Sequence, residues 1–383
     1  MPKLYLFNPE NDLALAADVD RYTAPPAARR LRADLSLLPL WIAGRGDRIV
    51  AADSADNQEF ISSHADTLAA VAGVGIYRGG DFQPMPWGWS RSVRGEFQRI
   101  GIGCDADDAL LRRLRELSSR RTTVDMLRRL ADAGVDVPEM PVVCASLDAV
   151  RRAVQRFGTA VLKMPWSSSG RGVVRVEAAE FSKYENWAGG IIRRQGEVLC
   201  EPFLDKVQDF AMEFYAKGGN VDFIGYSVFF NTPQMSYDHA VVASTERLHQ
   251  RLSALVGEER LTAIRRSVAA ALRQMLPDGY EGYVGVDMMA YRDRCGALRV
   301  DPCIEVNLRT TMGVVSAMLG DRVLHEGCVA TMRVLYHKDA GALAAFVQTL
   351  TPPQFADGRL SGGTLMLAPV APQSAYTATL TVS

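Results

Sequence analysis

The sequence has very little lysine. Only six of its 43 basic residues are lysines, and 44 acidic residues give a formal net charge of −1 over 383 residues. A near-neutral chain lacks the basic excess that is typical of nucleic-acid-binding proteins, so we expect no nucleic-acid partner. Because arginine supplies almost every cation, a lysine within an apolar segment needs a specific reason.

The sequence also lacks paired cysteines, a membrane-spanning segment and a signal peptide. The six cysteines are scattered without a CxxC pair, which disfavours zinc-finger and thioredoxin-like motifs and is typical of free thiols in a reducing compartment. No apolar run approaches the length of about 18 residues that spans a bilayer. The N-terminal MPKLYLFNPEND has an acidic pair where a signal peptide would be apolar. We therefore expect a cytoplasmic protein without a membrane partner.

Short apolar runs alternate with polar, helix-compatible stretches in the N-terminal part of the chain. KLYLFN, LSLLPLWIAG, RIVAAD and AGVGIYRG have the composition of buried strands, and residues 54–71 that of a helix. This alternation predicts an α/β layer with a mainly parallel sheet. PMPWGWS, residues 84–90, is rich in proline, glycine and tryptophan, which favours a loop.

The predicted elements are better defined after residue 118. Thr122 and Thr123 can cap one helix, and Ser146 can cap the next. A further helix is predicted over 259–276, and helical structure is predicted after the strand at 298–306 to about residue 350. The tail segments GTLMLAPV and AYTATLTV have the composition of strands. The predicted strands span 159–164, 173–177, 197–203, 209–216, 221–230, 283–291 and 298–306.

The segment AVLKMPWSSSGRGVVRV, residues 160–176, combines a lysine with a serine–glycine turn. Lys163 lies within an apolar strand, and because burial of an unpaired ammonium is unfavourable, it should contact an anion or a carbonyl. The turn that follows is flexible enough for its backbone N–H groups to converge on phosphate oxygens. A plain hairpin with an edge lysine is the alternative, and the Walker motif is absent from the sequence.

A second group of polar residues lies in a predicted hairpin, residues 283–313. Asp287 lies mid-strand between apolar neighbours, and Glu305 and Asn307 are two apart on the returning strand, where they point to one face. The hairpin would place Asp287 beside them. Two carboxylates and an amide oxygen suit Mg²⁺, especially with phosphate oxygens as further ligands. The alternative is an edge hairpin with solvated polar side chains.

In this order, the motifs resemble those of the ATP-grasp superfamily, which includes D-alanine–D-alanine ligase, biotin carboxylase and carbamoyl phosphate synthetase. The resemblance covers roughly residues 118–320, and EVNLR is similar to the E-x-N-x-R form of the last two enzymes. It implies an α/β protein with α+β lobes. The implied divisions are an N-terminal α/β domain at 1–117, a small lobe at 118–200 and a large lobe at 201–383.

The resemblance also implies a nucleotide site for ATP. Lys163 would contact the phosphates and the adenine edge and take part in catalysis, and Asp209 would bind the ribose. The lid over the phosphates would be formed by Ser168, Ser169, Gly170 and Gly172, and the hinge beside the adenine by Glu201, Pro202, Phe203 and Leu204.

The remaining implied roles concern the metal and the transferred group. Asp287, Glu305 and Asn307 would hold Mg²⁺, with Mn²⁺ as an alternative, and Arg309 would steady the transferred phosphoryl group. The family often has another lysine before the first small-lobe helix, where this chain has SSRRTTVDML. Arg120 or Arg121 would replace it, with Arg120 assigned to the nucleotide site.

The implied function is that of an ATP-dependent ligase. It would activate a small-molecule carboxylate as an acyl-phosphate and join it to an amine or a similar nucleophile, including a thiol. An ATP-grasp kinase or a non-catalytic nucleotide-binding regulator is the alternative, and an α/β binding module without a nucleotide is a third. The sequence identifies neither substrate. It does not decide between a monomer and a homodimer.

Overall fold

The computed structural model describes residues 1–167, 170, 172–232 and 236–383. Helices and sheets alternate through this part of the chain, which gives the mixed α/β class that the sequence predicts. None of the helices in these ranges is both long and apolar enough to cross a bilayer. All six cysteines are free thiols.

The first sheet is parallel, as predicted. Its strands lie in the order β3-β2-β1-β4, with β1 at Lys3–Leu6, β2 at Arg48–Ile49, β3 at Gly75–Ile76 and β4 at Gln83–Pro86. The helices of this region are Asn11–Ala17 (α1), Pro26–Asp34 (α2), Ala55–Thr67 (α3), Arg91–Arg99 (α4) and Asp108–Leu117 (α5).

Two predictions in this region are wrong. LSLLPLWIAG contains a buried 3-10 helix, Leu38–Trp41, instead of a strand. Pro39 lacks the N–H that a central strand needs, and an apolar run of this length does not distinguish strand from helix. PMPWGWS begins inside β4 instead of forming a loop throughout. Proline is tolerated there because β4 is at the edge of its sheet and pairs only with β1.

Helix α6, Thr122–Asp132, connects the first region to the next. The predicted threonine cap is wrong, because Arg121 occupies the cap position and no side chain caps the helix. Both threonines lie buried in its first turn, where Thr123 Oγ1 donates to the carbonyl of Ile304 at 3.2 Å. This helix is therefore tied to the hairpin that carries the predicted metal ligands.

The second sheet is antiparallel and has two helices packed on it. Ser146 caps the first of these, as predicted, by accepting from the N–H of Ala149. The strands, in the order β5-β8-β6-β7, are Val142–Cys144 (β5), Thr159–Lys163 (β6), Val173–Glu177 (β7) and Val198–Pro202 (β8). The helices are Leu147–Phe157 (α7) and Glu185–Gln195 (α8).

The third sheet is also antiparallel, with the order β13-β12-β9-β10-β11-β14-β18-β17. Its strands are Asp205–Lys217 (β9), Asn220–Asn231 (β10), Tyr237–Val242 (β11), Gly282–Arg292 (β12), Leu298–Asn307 (β13), Ala330–Tyr336 (β14), Thr364–Met366 (β17) and Tyr376–Val382 (β18). A separate hairpin pairs Gln354–Ala356 (β15) with Arg359–Gly362 (β16). Four helices complete the region, at Thr245–Val256 (α9), Glu258–Met275 (α10), Met312–Arg322 (α11) and Ala340–Gln348 (α12).

The two faces of this sheet have different neighbours. Even-numbered residues of β9, such as Phe210 and Phe214, share a core with α6, α9 and α10. Helix α11 lies on the other face, where Gly313 closely approaches Glu213. Because side chains alternate along a strand, the odd-numbered positions of β9 share this second face. The apolar core on this side joins α11 to the first sheet.

The prediction of continuous helix to residue 350 is wrong. Helix α11 ends at Arg322, β14 follows at Ala330–Tyr336, and α12 comes after it. The apolar residues of this stretch are used by a strand that pairs with β11 and β18, so tertiary pairing overrides the helical composition. The predicted tail strands are confirmed as β17 and β18.

Gly320 allows α11 to pack closely against the end of β11. A Cβ at this position would lie 2.0 Å from the carbonyl oxygen of Ala243, whereas a Cβ at Gly341 in α12 would meet nothing within 4 Å. We expect Gly320→Ala to lower the free energy of unfolding by about 2 kcal/mol, since the backbone must move. Gly341→Ala, the matched control, should be neutral or stabilising. Urea unfolding of both variants measures this, and equal effects would contradict the packing argument.

Candidate active site

A cleft of about 760 Å³ lies between the second sheet and the α11 side of the third sheet. Most of the site residues predicted from the sequence line it. They are Arg120, Lys163, Gly170, Glu201, Pro202, Phe203, Leu204, Asp209, Asp287, Glu305, Asn307 and Arg309. Gly172 is not among the lining residues, and Ser168 and Ser169 lie outside the described residues.

Lys163 contacts both an anion and a carbonyl, as its burial predicts. Its Nζ is 2.5 Å from Glu201 Oε2 and donates to the carbonyl of Ile304 at 3.4 Å. Strands β6 and β8 are neighbours, which places the two side chains together. The other carboxylate oxygen of Glu201, Oε1, is buried without a hydrogen-bond partner. A donor on a bound ligand would satisfy this oxygen.

The predicted hairpin brings its polar residues together. Asp287 pairs with Glu305 across β12 and β13, and Asn307 Nδ2 donates to Asp287 Oδ2 at 3.2 Å. Within the described ranges, no group of three His, Cys, Asp or Glu side chains is arranged to hold a metal ion. The hairpin offers two carboxylates and the Asn307 amide oxygen, to which ligand phosphates would add further oxygen donors. These all-oxygen donors fit Mg²⁺.

The structure distinguishes the two arginines that the sequence leaves open. Arg120 is buried in the cleft, where its Nε lies 3.3 Å from Glu305 Oε1 and its NH1 donates to Ser167 Oγ at 2.6 Å. Arg121 is exposed and pairs with Glu197. Only the former can therefore act beside the acidic hairpin.

Arg309 is held by a residue that the sequence analysis missed. Its Nε donates to both carboxylate oxygens of Asp12 at 3.2 Å, and its NH2 lies 3.1 Å from Asp12 Oδ2. Asp12 is itself buried and follows the first strand of the chain. The pair therefore connects the N-terminal sheet directly to the cleft.

Asp12 belongs to the NPEND segment, residues 8–12, which ends in the first turn of α1 and is largely buried despite its polarity. Asn8 Nδ2 donates to the carbonyl of Gly88 at 2.8 Å, and the Gly88 N–H donates back to Asn8 Oδ1 at 3.2 Å. A Cβ on Gly88 would lie 3.0 Å from Asn11 Cβ and closer to its amide group, so a larger residue would displace the Asn11 side chain. The signal was present in the sequence, since four polar residues directly follow a buried strand.

Asp209 has partners in this structure. Its Oδ2 accepts from Lys206 Nζ at 2.6 Å and from Asn231 Nδ2 at 2.9 Å. The side chain lies on the same face of β9 as Glu213, four residues further on. Glu213 contacts the start of α11, so Asp209 lies further along β9, at the other end of the cleft.

Glu213 is a second buried acid that the sequence analysis missed. It is 1% exposed, lines the cleft and accepts from Thr311 Oγ1 at 3.1 Å. Gly285 and Gly313 leave the space that its carboxylate fills. The sequence did contain an indication of it. Glu213 lies in an apolar strand four residues after Asp209, so the alternation of side chains places both on the same face.

The carboxyl groups of the cleft differ in their proton affinity. Burial raises the pKa of Glu213 to about 8, with a further contribution from the charge of Asp287. Burial and the charge of Glu305 raise the pKa of Asp287 to about 7. Burial opposes ionisation of Glu305 as well, but the neighbouring cations, Arg120 first, outweigh it and leave its pKa below the usual value. Glu305, which faces guanidinium groups, is therefore the most acidic of the three carboxyl groups.

The raised pKa of Glu213 has a consequence for stability. Its ordinary pKa is 4.5, so between that value and about 8 the folded state binds the proton more tightly than the unfolded state. The free energy of unfolding of the ligand-free protein should therefore fall as pH rises through this window, with Glu213 contributing on the order of 5 kcal/mol. In Glu213→Gln the fall should be smaller, the rest being due to Asp287 and Asp301, whose pKa values are also raised.

Urea unfolding between pH 5 and pH 9 measures this, with Glu259→Gln, an exposed acid of α10, as the matched control. Glu259→Gln should show the pH dependence of the wild type. If Glu213→Gln shows it as well, the proposed contribution of Glu213 is wrong.

The whole chain is similar in structure to several solved proteins. Campylobacter jejuni biotin carboxylase, solved with β-γ-ATP, is 14% identical, with a TM-score of 0.53 over 100% of this chain and 88% of its own. The biotin carboxylase domain dimer of Hydrogenobacter thermophilus 2-oxoglutarate carboxylase, solved with MgADP, ADP and bicarbonate, is 14% identical, with a TM-score of 0.52 and coverages of 100% and 86%.

A third similar structure is the ADP complex of PurK, an N5-carboxyaminoimidazole ribonucleotide synthetase. It is 11% identical and has a TM-score of 0.53, with 100% of this chain and 92% of that chain covered. No protein-family model and no curated protein matches the sequence. At these identities the structural similarity establishes the fold, which agrees with the order of the sequence motifs. The chain has the ATP-grasp fold.

Proposed function

We propose that the chain is an ATP-dependent ligase that activates a carboxylate as an acyl-phosphate and joins it to an amine or similar nucleophile. The observation that carries this proposal is the convergence of buried or half-buried cations and oxygen ligands in one cleft. Lys163, Arg120 and Arg309 lie on the same cleft as the acidic hairpin. A triphosphate needs both kinds of group, since its charge must be neutralised while its terminal phosphorus stays accessible.

The nucleotide would lie along the cleft from β8 to the acidic hairpin. Residues 201–204 would contact the adenine through their backbone, with the unpartnered Glu201 oxygen beside it. Asp209 would exchange Lys206 and Asn231 for the ribose hydroxyls. Gly170 and Gly172 belong to the turn that we propose as the phosphate lid, together with Ser168 and Ser169.

The metal would be Mg²⁺, with Mn²⁺ as an alternative, held by Asp287, Glu305 and Asn307. When bound, it neutralises charge on the phosphate oxygens. Asp287, whose pKa is raised to about 7, needs a cation to stay ionised in its buried position. The charge of Arg120 favours ionisation of Glu305, and Arg120 NH2 orients it by donating to Glu305 Oε2 at 3.4 Å.

In the proposed reaction, a carboxylate oxygen attacks the γ-phosphorus of ATP. The bond from that phosphorus to the β–γ bridging oxygen breaks, and ADP leaves with the electron pair. The nucleophile then attacks the acyl carbon, and phosphate leaves. Arg309, oriented by Asp12, would steady the transferred group in both steps. Exclusion of water by the lid would protect the acyl-phosphate from hydrolysis.

The solved relatives support a ligase more than a kinase. Two are biotin carboxylases or domains of that type, and one is a synthetase, and all three were solved with an adenine nucleotide. One of them is a dimer, and we include a homodimer of this chain in the proposal. At identities of 11–14% these similarities identify neither substrate of this chain.

Trapping with hydroxylamine tests the proposed activity. With Mg·ATP and pools of small carboxylic acids, the wild type should form a hydroxamate and release ADP, because hydroxylamine captures an acyl-phosphate. Glu305→Gln should lower ADP release by about 100-fold, since a charged metal ligand becomes neutral. Asp222→Asn, an exposed acid of β10, is the matched control and should match the wild type.

Two results would contradict the proposal. One is acid-independent ADP release without hydroxamate, and the other is a stable phosphorylated product, which would indicate the kinase.

A further inference from the structure

The N-terminal region contains a second cleft, separate in its lining residues from the one described above. Its volume is about 520 Å³, and it opens at the carboxyl ends of β1 and β2, beside α2 and the start of α3. Open parallel sheets bind ligands outside the carboxyl ends of their strands. Its apolar walls include Leu6, Phe7, Ala24 and Val50.

One wall of this cleft carries a buried acid with an unsatisfied oxygen. Glu10 is 8% exposed, and its Oε1 accepts from Arg32 NH1 at 2.7 Å. Its Oε2 is buried and has no hydrogen-bond partner. An ionised carboxylate oxygen in that position is costly unless a donor reaches it. Arg32 is shared with Glu96, so it does not fully neutralise Glu10.

The rim of the same cleft carries a cation without an anion. Arg29 lines the cleft, its side chain is exposed, and in the described part of the chain no carboxylate pairs with it. Neighbouring arginines of α2 differ in this respect, since Arg30 pairs with Asp34 and Arg32 with Glu10. An unpaired guanidinium beside a cleft suits a carboxylate or a phosphate of a ligand.

We infer that this cleft binds a small molecule that carries an amine and an anionic group on a short carbon skeleton. The amine would donate to Glu10, and the carboxylate or phosphate would pair with Arg29. The inference that this molecule is the acceptor substrate rests on the proposed ligase function. The NPEND segment connects the two clefts, because Glu10 lines the second cleft and Asp12 holds Arg309 in the first.

Calorimetric titration of the full chain without nucleotide tests this binding site. The probes are the twenty common amino acids and O-phosphoethanolamine, which separate a carboxylate from a phosphate as the anionic group. We expect at least one probe to bind at a single site. Glu10→Gln and Arg29→Ala should each weaken it by about 10-fold or more, because each leaves a charged ligand group unpaired. Arg45→Ala removes an exposed arginine outside the cleft and should leave affinity unchanged.

The inference is overturned if no probe binds, or if both cleft variants bind as tightly as the wild type. Affinity for an ATP analogue, measured on the same samples, should be unchanged in Glu10→Gln, which shows that the variant is folded. Because the titration needs neither ATP nor turnover, it can fail while hydroxamate formation succeeds, or the reverse. The two proposals are therefore tested separately.

Discussion

The structure of the cleft between the second and third sheets depends on the need to neutralise buried charge. Three cations there have an acidic partner each: Lys163 pairs with Glu201, Arg120 with Glu305 and Arg309 with Asp12. Removal of one member of such a pair leaves a buried charge uncompensated. Asp287 and Glu213 are further acids on the same surface, and burial raises the pKa of both. A bound cation would lower these pKa values, because it favours the charged carboxylates.

The same constraint makes the N-terminal region part of the site. The backbone N–H of Thr310 donates to the carbonyl of Trp87 at 2.7 Å, and Gly88 forms a bridge with Arg309. These contacts join the end of β13 to the residues after β4, where the order of the first sheet changes direction. Arg309 is therefore positioned from two sides, by this bridge and by Asp12. Loss of the Asp12 carboxylate would be transmitted to Arg309, the group that we propose for phosphoryl transfer.

The features predicted correctly from the sequence are those that depend on residues close together in the chain. The alternation of side chains along a strand placed Asp287 opposite Glu305, and the shortage of lysine identified Lys163, whose acidic partner the structure confirms. The 3-10 helix at Leu38–Trp41 was missed because a short apolar run has no distinguishing period.

The contact of Arg309 with Asp12 joins residues 297 apart in the chain, and no local pattern encodes such a pair. Residue roles, the boundaries at 117 and 200, and the cytoplasmic location stay predictions.

The most direct test of the account is calorimetric titration with a non-hydrolysable ATP analogue, with and without Mg²⁺. It tests whether the cleft between the second and third sheets is a Mg·ATP site. The account predicts binding at one site that Mg²⁺ strengthens by about 10-fold or more, and loss of this Mg²⁺ effect in Asp287→Asn, since the metal connects the phosphates to that carboxylate. Absence of binding, or equal affinity with and without Mg²⁺ in both proteins, would contradict it.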